Sequence, residues 1–165
     1  MSPRTASRLD SLGFKQVYDY VTGLADWTAN GLSTEGTLAA VLRAGHAVRR
    51  DVPTCRLTER LGEVHERVQA AGEKVCIVTN EEGIVLGRLR GEAFNADPEA
   101  SIESVMEAGP TTIRPDLLLE EITEHLQERR VGSIVVTTSI GRLTGILYRS
   151  DAERHLVDTS TARRR

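Results

Sequence analysis

Two cysteines, Cys55 and Cys76, are all that this 165-residue chain contains. With twenty residues between them and no second pair, they write no zinc-ligand spacing. The four histidines, His46, His65, His125 and His155, are equally scattered, so no metal centre is expected. The chain also lacks an apolar run of about 18 residues, as a membrane-spanning helix would need, and its start, MSPRTASRLD, has no apolar signal-peptide core. A cytoplasmic protein that engages no membrane is expected. Charge of one sign is missing too. The 21 basic and 24 acidic residues leave a net −3, without the one-signed field of a nucleic-acid binder. The basic end ARRR is the local exception, read as a solvated terminus. A hydrophobic content of 39% remains, sufficient for one good core or two small ones.

The chain does hold an internal duplication. GIVLGRLRGEA, residues 83–93, and GRLTGILYRSD, residues 141–151, lie 58 positions apart, and that shift aligns residues 54–93 with 112–151 without a gap. Eleven of the forty positions are identical, among them Thr54/Thr112, Arg56/Arg114, Leu61/Leu119, Gly83/Gly141, Gly87/Gly145 and Leu89/Leu147. Unrelated segments of ordinary composition would share about two or three. Each copy opens with a short Thr- and Arg-bearing segment and continues with an apolar stripe of helical spacing: Leu61, Val64 and Val68, then Leu119, Ile122 and Leu126. A β-branched run follows, VCIVT or SIVVT, then a polar turn closed by Gly83 or Gly141, then a second strand. Each unit is thus strand, helix and hairpin, too small to bury its own apolar faces.

This pattern resembles the cystathionine beta-synthase (CBS) domain, whose tandem pairs form a disk-like module with a shared cleft. Residues 107–151 carry the likeness best, with a Pro-x-Thr-apolar-x-Pro-Asp-like entry, amphipathic helix, apolar strand, Gly-x-Leu-x-Gly turn and terminal Asp. The resemblance implies a mixed α/β (α+β) fold made of two β-α-β-β units: repeat 1 over residues 48–98 and repeat 2 over 99–157, with a disordered tail at 158–165. It also implies a non-enzymatic regulatory module, a homodimer, and AMP, ADP, ATP or S-adenosylmethionine as regulatory ligand. The alternatives are a ligand-free interaction scaffold or a fragment of a sulfurtransferase.

Adenosyl-binding members of the family use a Gly-apolar-apolar-Thr/Ser-x-x-Asp motif, in which the carboxylate accepts hydrogen bonds from both ribose hydroxyls. The second copy reads Gly145-Ile146-Leu147-Tyr148-Arg149-Ser150-Asp151, so the resemblance makes Asp151 the ribose carboxylate. Tyr148 stands where the small hydroxyl residue belongs, and its ring either stacks on a base or fills the pocket. The first copy has Arg90 at that position and Ala93 in place of the Asp, which removes ribose recognition there. Arg88 and Arg90 share one strand face, suited to phosphates or to solvent. The resemblance adds Thr112, Ile113 and Ile134 as pocket-lining positions, with core packing the rival role. Ile77 and Val135 replace the proline with which the family enters its second strand. Cys55 and Cys76 align with Ile113 and Ile134, which makes them small core hydrophobes.

Residues 1–36 read as helix to Gly13, strand through KQVYDYV, then a short helix around Trp27. This is similar to the C-terminal third of a rhodanese domain, and residues 37–47 read as a connecting helix. Rhodaneses carry their catalytic cysteine in the loop before this helix, where the present sequence begins at Met1. The segment is expected to be either a remnant or the end of a longer protein, inactive in sulfur transfer by itself.

Overall fold

A computed structural model describes residues 3–18, 23, 26, 27, 32 and 41–162. Helix α1 spans Pro3–Ser11. Repeat 1 is β1 (Thr54–Cys55), α2 (Leu61–Ala70), β2 (Val75–Thr79) and β3 (Val85–Arg90). A short helix α3 (Ile102–Val105) and β4 (Glu107–Ala108) lead into repeat 2, which is β5 (Thr112–Ile113), α4 (Leu119–Glu128), β6 (Ser133–Thr137) and β7 (Leu143–Tyr148), followed by α5 (Arg149–Ala162).

The helices bury the stripes that their spacing announces. Leu61, Val64 and Val68 on α2 are buried, as are Leu119 and Leu126 on α4, each apolar side chain contributing about 1.5–3 kcal/mol. Thr123 is buried beside them, its hydroxyl donating to the Leu119 carbonyl at 2.7 Å. In each repeat the first strand runs parallel to the second, and the second pairs antiparallel with the third, with a register shift at the matching places Val78/Thr79 and Val136/Thr137. Gly83 and Gly141 close the hairpins at φ of +79° and +81°. The two tips bind each other: Val85 N–H donates to Gly141 O at 3.0 Å and Leu143 N–H to Gly83 O at 2.9 Å. Behind the tips, Ile77, Val135 and Ile146 form a buried apolar layer with Val52, Val75, Val85, Leu143 and Tyr148 packed on it. Ile77 and Val135, 58 positions apart, thus meet in one layer drawn from both repeats.

The lead-in segments are exchanged. Segment 101–108, which precedes β5 and falls within the 99–157 expected for repeat 2, covers repeat 1: Ile102 is buried in the repeat 1 core and β4 pairs antiparallel with β3. Segment 43–50, just before repeat 1, covers repeat 2: Ala44, Ala47 and Val48 enter the repeat 2 core, and Arg49 pairs antiparallel with Ile146 on β7. Arg43 bridges Leu118 as Arg60 bridges Ser101, so the 58-residue symmetry extends over these segments. Each lead-in crosses a glycine of the recurring motif. A Cβ on Gly87 would meet Met106 Sδ at 2.4 Å, and one on Gly145 would meet the Arg49 carbonyl oxygen at 2.1 Å.

Three sequence expectations change. Residues 41–47, the described part of the connecting helix, hold only a 3₁₀ turn at Ala44–His46, because their backbone bonds go to repeat 2, Ala44 N–H to Leu117 O and Gly45 N–H to Pro115 O. Residues 158–162 of the expected tail continue α5, where the Thr159 hydroxyl donates to the His155 carbonyl at 2.9 Å. Residues 15–18 of the expected strand join no described sheet. Their remainder, 19–21, and most of the segment around Trp27 lie outside the described residues. No helix among the described residues is long and apolar enough to cross a membrane.

Two substitutions test this arrangement. Gly145→Ala places a methyl against backbone at φ +151° and is expected to lower stability by about 2–4 kcal/mol in denaturant titration. Gly87→Ala is expected to cost less, since it meets the movable Met106 side chain first and has no positive φ. Arg130 ends α4 at φ +54°, where repeat 1 has Gly72 at +68°. Arg130→Gly is expected to raise stability by about 0.5–1 kcal/mol, the left-handed cost less the added unfolded-state entropy.

Candidate functional site

The turn from β7 into α5 places Tyr148, Arg149 and Asp151 together. Tyr148 is the last residue of β7, the Arg149 N–H donates to Gly132 O at 2.9 Å, and Asp151 sits in the first turn of α5. The Asp151 side chain is only 7% exposed. A buried carboxylate needs partners, and here they are guanidinium groups. Arg49 grips it with two bonds, Nε to Oδ2 at 2.6 Å and Nη2 to Oδ1 at 3.2 Å, and Arg154 Nη2 lies 3.3 Å from Oδ1. The Arg49 hydrogen bonds hold the Asp151 carboxyl below its ordinary range despite burial. The same contact raises the Arg49 guanidinium.

Arg49 reaches this place through its backbone. Its N–H donates to Ile146 O at 2.9 Å and its carbonyl accepts from Ile146 N–H at 3.0 Å, across Gly145. The guanidinium carbon then lies 4.8 Å from the Tyr148 ring centroid, a cation–π contact. The Tyr148 hydroxyl donates to Glu73 Oε2 at 3.0 Å, and Arg49 Nη1 is 3.7 Å from Glu73 Oε1. Burial, reinforced by Glu73, pushes the Tyr148 hydroxyl up to about 12, so it remains a proton donor. Glu73 follows α2 of repeat 1, so the cluster joins a lead-in residue, repeat 1 and repeat 2.

The other candidates fall on two sheets. Thr112 is exposed on β5, Ile113 is half-buried against the repeat 2 core, and Ile134 is buried within it. Arg149 lies 3.6 Å from Glu153. Arg88 and Arg90 share a face of β3 but are held by Glu107: Arg88 Nε and Nη2 bond Oε2 and Oε1 at 2.9 and 2.7 Å, and Arg90 Nε bonds Oε2 at 3.0 Å. The Arg88 bonds draw the Glu107 carboxyl below its usual range. Both cysteines are free and buried in the repeat 1 core, where contact with Cys55 and burial push the Cys76 thiol up. Among the described residues no group of three or more His, Cys, Asp or Glu side chains could hold a metal ion.

Sequence reasoning named neither Arg49 nor Glu73. The shift by 58 pairs Arg49 with Glu107, of opposite charge, and Glu73 with Val131, so identity between the copies marks neither position. The one available signal was structural logic: a buried Asp at a helix start calls for a cation.

Comparison with known proteins bears on the fold. Residues 102–158 match the model of the CBS domain family. Arabinose 5-phosphate isomerase KpsF of Escherichia coli is 26% identical over 112 residues, covering 64% of this chain and 34% of that protein. The chain thus spans about a third of the curated relative it matches. AcuB from Vibrio cholerae superposes with a TM-score of 0.66 at 18% identity, over 75% of this chain and 96% of that one. CBSX2 of Arabidopsis thaliana, in complex with AMP, gives 0.65 at 16% identity over 72% and 98%. The cytosolic domain of the Mg2+ channel MgtE, in complex with ATP, gives 0.63 at 23% identity over 72% and 51%. Residues 102–158 are therefore similar in sequence to the CBS domain family, and the two repeats together have the fold of a tandem CBS pair.

Proposed function

We propose that this chain is a non-enzymatic regulatory CBS pair that senses an adenosine-containing ligand at repeat 2, with Asp151 receiving the ribose hydroxyls. The observation that carries the reading is the buried carboxylate at the β7–α5 turn, at the position the family's ribose motif assigns to it. Structures of the same fold in complex with AMP, with ATP, and with S-adenosylmethionine and 5′-methylthioadenosine support this ligand class. Repeat 1 has Ala93 at the corresponding position and Arg88 and Arg90 tied to Glu107, which favours one ligand per chain. Homodimerisation through the CBS pair and a cytoplasmic setting belong to this reading. The likeness of the N-terminal segment to a rhodanese end piece rests on sequence alone, and neither buried cysteine is placed for sulfur transfer. A second reading, a ligand-free interaction scaffold, is favoured by the Arg49 contact, which already occupies the carboxylate.

A thermal-shift screen with AMP, ADP, ATP and S-adenosylmethionine is expected to raise the melting temperature with at least one of them. In calorimetry, Asp151→Asn is expected to weaken that ligand by about 1.5–3 kcal/mol, the range of hydrogen bonds to charged groups. No shift with any ligand favours the scaffold, and unchanged affinity in the variant moves the site elsewhere. Because the Asp151 carboxyl is depressed in the folded protein, its stabilisation is fully present above its unfolded value, about 3.9, and fades as pH falls through the lower folded value. The stability gap between wild type and Asp151→Asn is therefore expected to be full at pH 7 and to shrink steadily below about pH 4, measured by urea unfolding across that range.

A further inference from the structure

The Arg49–Asp151 contact uses the same two oxygens that a ribose diol would use. A guanidinium edge and a vicinal diol each present two donors side by side, and the edge of Arg49 spans Oδ1 and Oδ2. We propose that Arg49 is a tethered competitor for the ligand site, a built-in pseudo-ligand that keeps the repeat 2 cleft closed until a nucleoside displaces it. This rests on the reading of Asp151 as the ribose carboxylate.

Three features make the contact a gate and not a permanent brace. Arg49 is anchored by its backbone to Ile146, so its side chain can leave Asp151 without loosening the sheet. That side chain is 48% exposed, whereas the carboxylate it covers is 7% exposed, so the lid lies on the solvent side of the site. A displaced guanidinium also has a seat waiting: Glu73 Oε1 is 3.7 Å from Nη1, and Glu73 is already fixed by the Tyr148 hydroxyl. Moving from Asp151 to Glu73 transfers the cation from a repeat 2 carboxylate to one that follows α2 of repeat 1. Ligand entry is thereby coupled to a tightening of the contact that the lead-in already makes with repeat 1. Asp151 is not orphaned when Arg49 is removed, because Arg154 still lies 3.3 Å from Oδ1.

The test uses adenosine, which carries the diol but no phosphate that Arg49 could bind, with AMP as a second ligand, on the full chain. Arg49→Gln is expected to bind adenosine about tenfold more tightly than wild type by calorimetry. Arg49→Lys, which keeps the charge but cannot span both oxygens, is expected to fall between. Equal adenosine affinity in wild type and Arg49→Gln overturns the gate and leaves the nucleotide reading standing. So does AMP binding to wild type with no adenosine binding to Arg49→Gln. Absence of adenosine and AMP from all three proteins overturns the gate, and if ADP, ATP and S-adenosylmethionine are also without effect it overturns the underlying reading as well. Melting curves establish that each variant is folded. If Arg49→Gln is not, an Arg49→Lys affinity equal to wild type overturns the gate.

Discussion

The paired hydrogen bonds between Arg49 and Ile146 require a residue without a side chain at position 145, since a Cβ there would lie 2.1 Å from the Arg49 carbonyl oxygen. That close approach is the constraint on which the rest depends. It lets segment 43–50 lie across β7, so that Ala44, Ala47 and Val48 complete the repeat 2 core. The mirror contact at Gly87 lets Ile102 complete the core of repeat 1. Neither repeat is closed by its own lead-in, so each needs the other to bury its apolar face. The hairpin tips and the Ile77, Val135 and Ile146 layer then join two units that are already interlocked.

Shared geometry carries opposite chemistry in the two halves. In repeat 1 the crossing residue is Glu107, an anion, and the strand beneath it offers Arg88 and Arg90. In repeat 2 the crossing residue is Arg49, a cation, above Ile146 and Tyr148, and its partner is Asp151 at the start of α5. The first arrangement pairs a largely buried Arg88 and an exposed Arg90 with one half-exposed carboxylate. The second encloses a carboxylate under a half-exposed cation.

Much of this was legible in the sequence, and the reason is local periodicity. The stripes at Leu61, Val64 and Val68 and at Leu119 and Leu126 marked the helices, the β-branched runs marked β2 and β6, and Gly83 and Gly141 marked the hairpins. The lead-in exchange was not legible, because residues 43–50 share no identity with 101–108 at the shift of 58. What that segment preserves is size and backbone path, such as Val48 beside Gly145 and Met106 beside Gly87, and neither leaves a letter-for-letter trace. The connecting helix expected over 37–47 does not form in its described part, because the backbone groups of Ala44 and Gly45 are taken by repeat 2. Asp151 was identified by resemblance, while Arg49, 102 positions away, became visible only when the chain was folded.

Whether Asp151 serves the fold or a ligand can be argued from the repeat itself. In repeat 1 the chain leaves β3 through a 3₁₀ segment, Gly91–Asn95, with Ala93 at the matching position, so the exit from the third strand does not by itself require a carboxylate. Nor does Asp151 act as an ordinary helix-start acceptor, because its oxygens face the guanidinium groups of Arg49 and Arg154. A buried ion pair is a weak source of stability, since desolvation offsets most of the attraction and an apolar pair of similar volume commonly does as well. Repeat 1 has apolar packing at the position of this carboxylate: Ala93 and Phe94 pack on a core that includes Leu89 and Ile102. A carboxylate that repeat 1 does without, buried beneath a half-exposed guanidinium, is what the proposed ligand site requires.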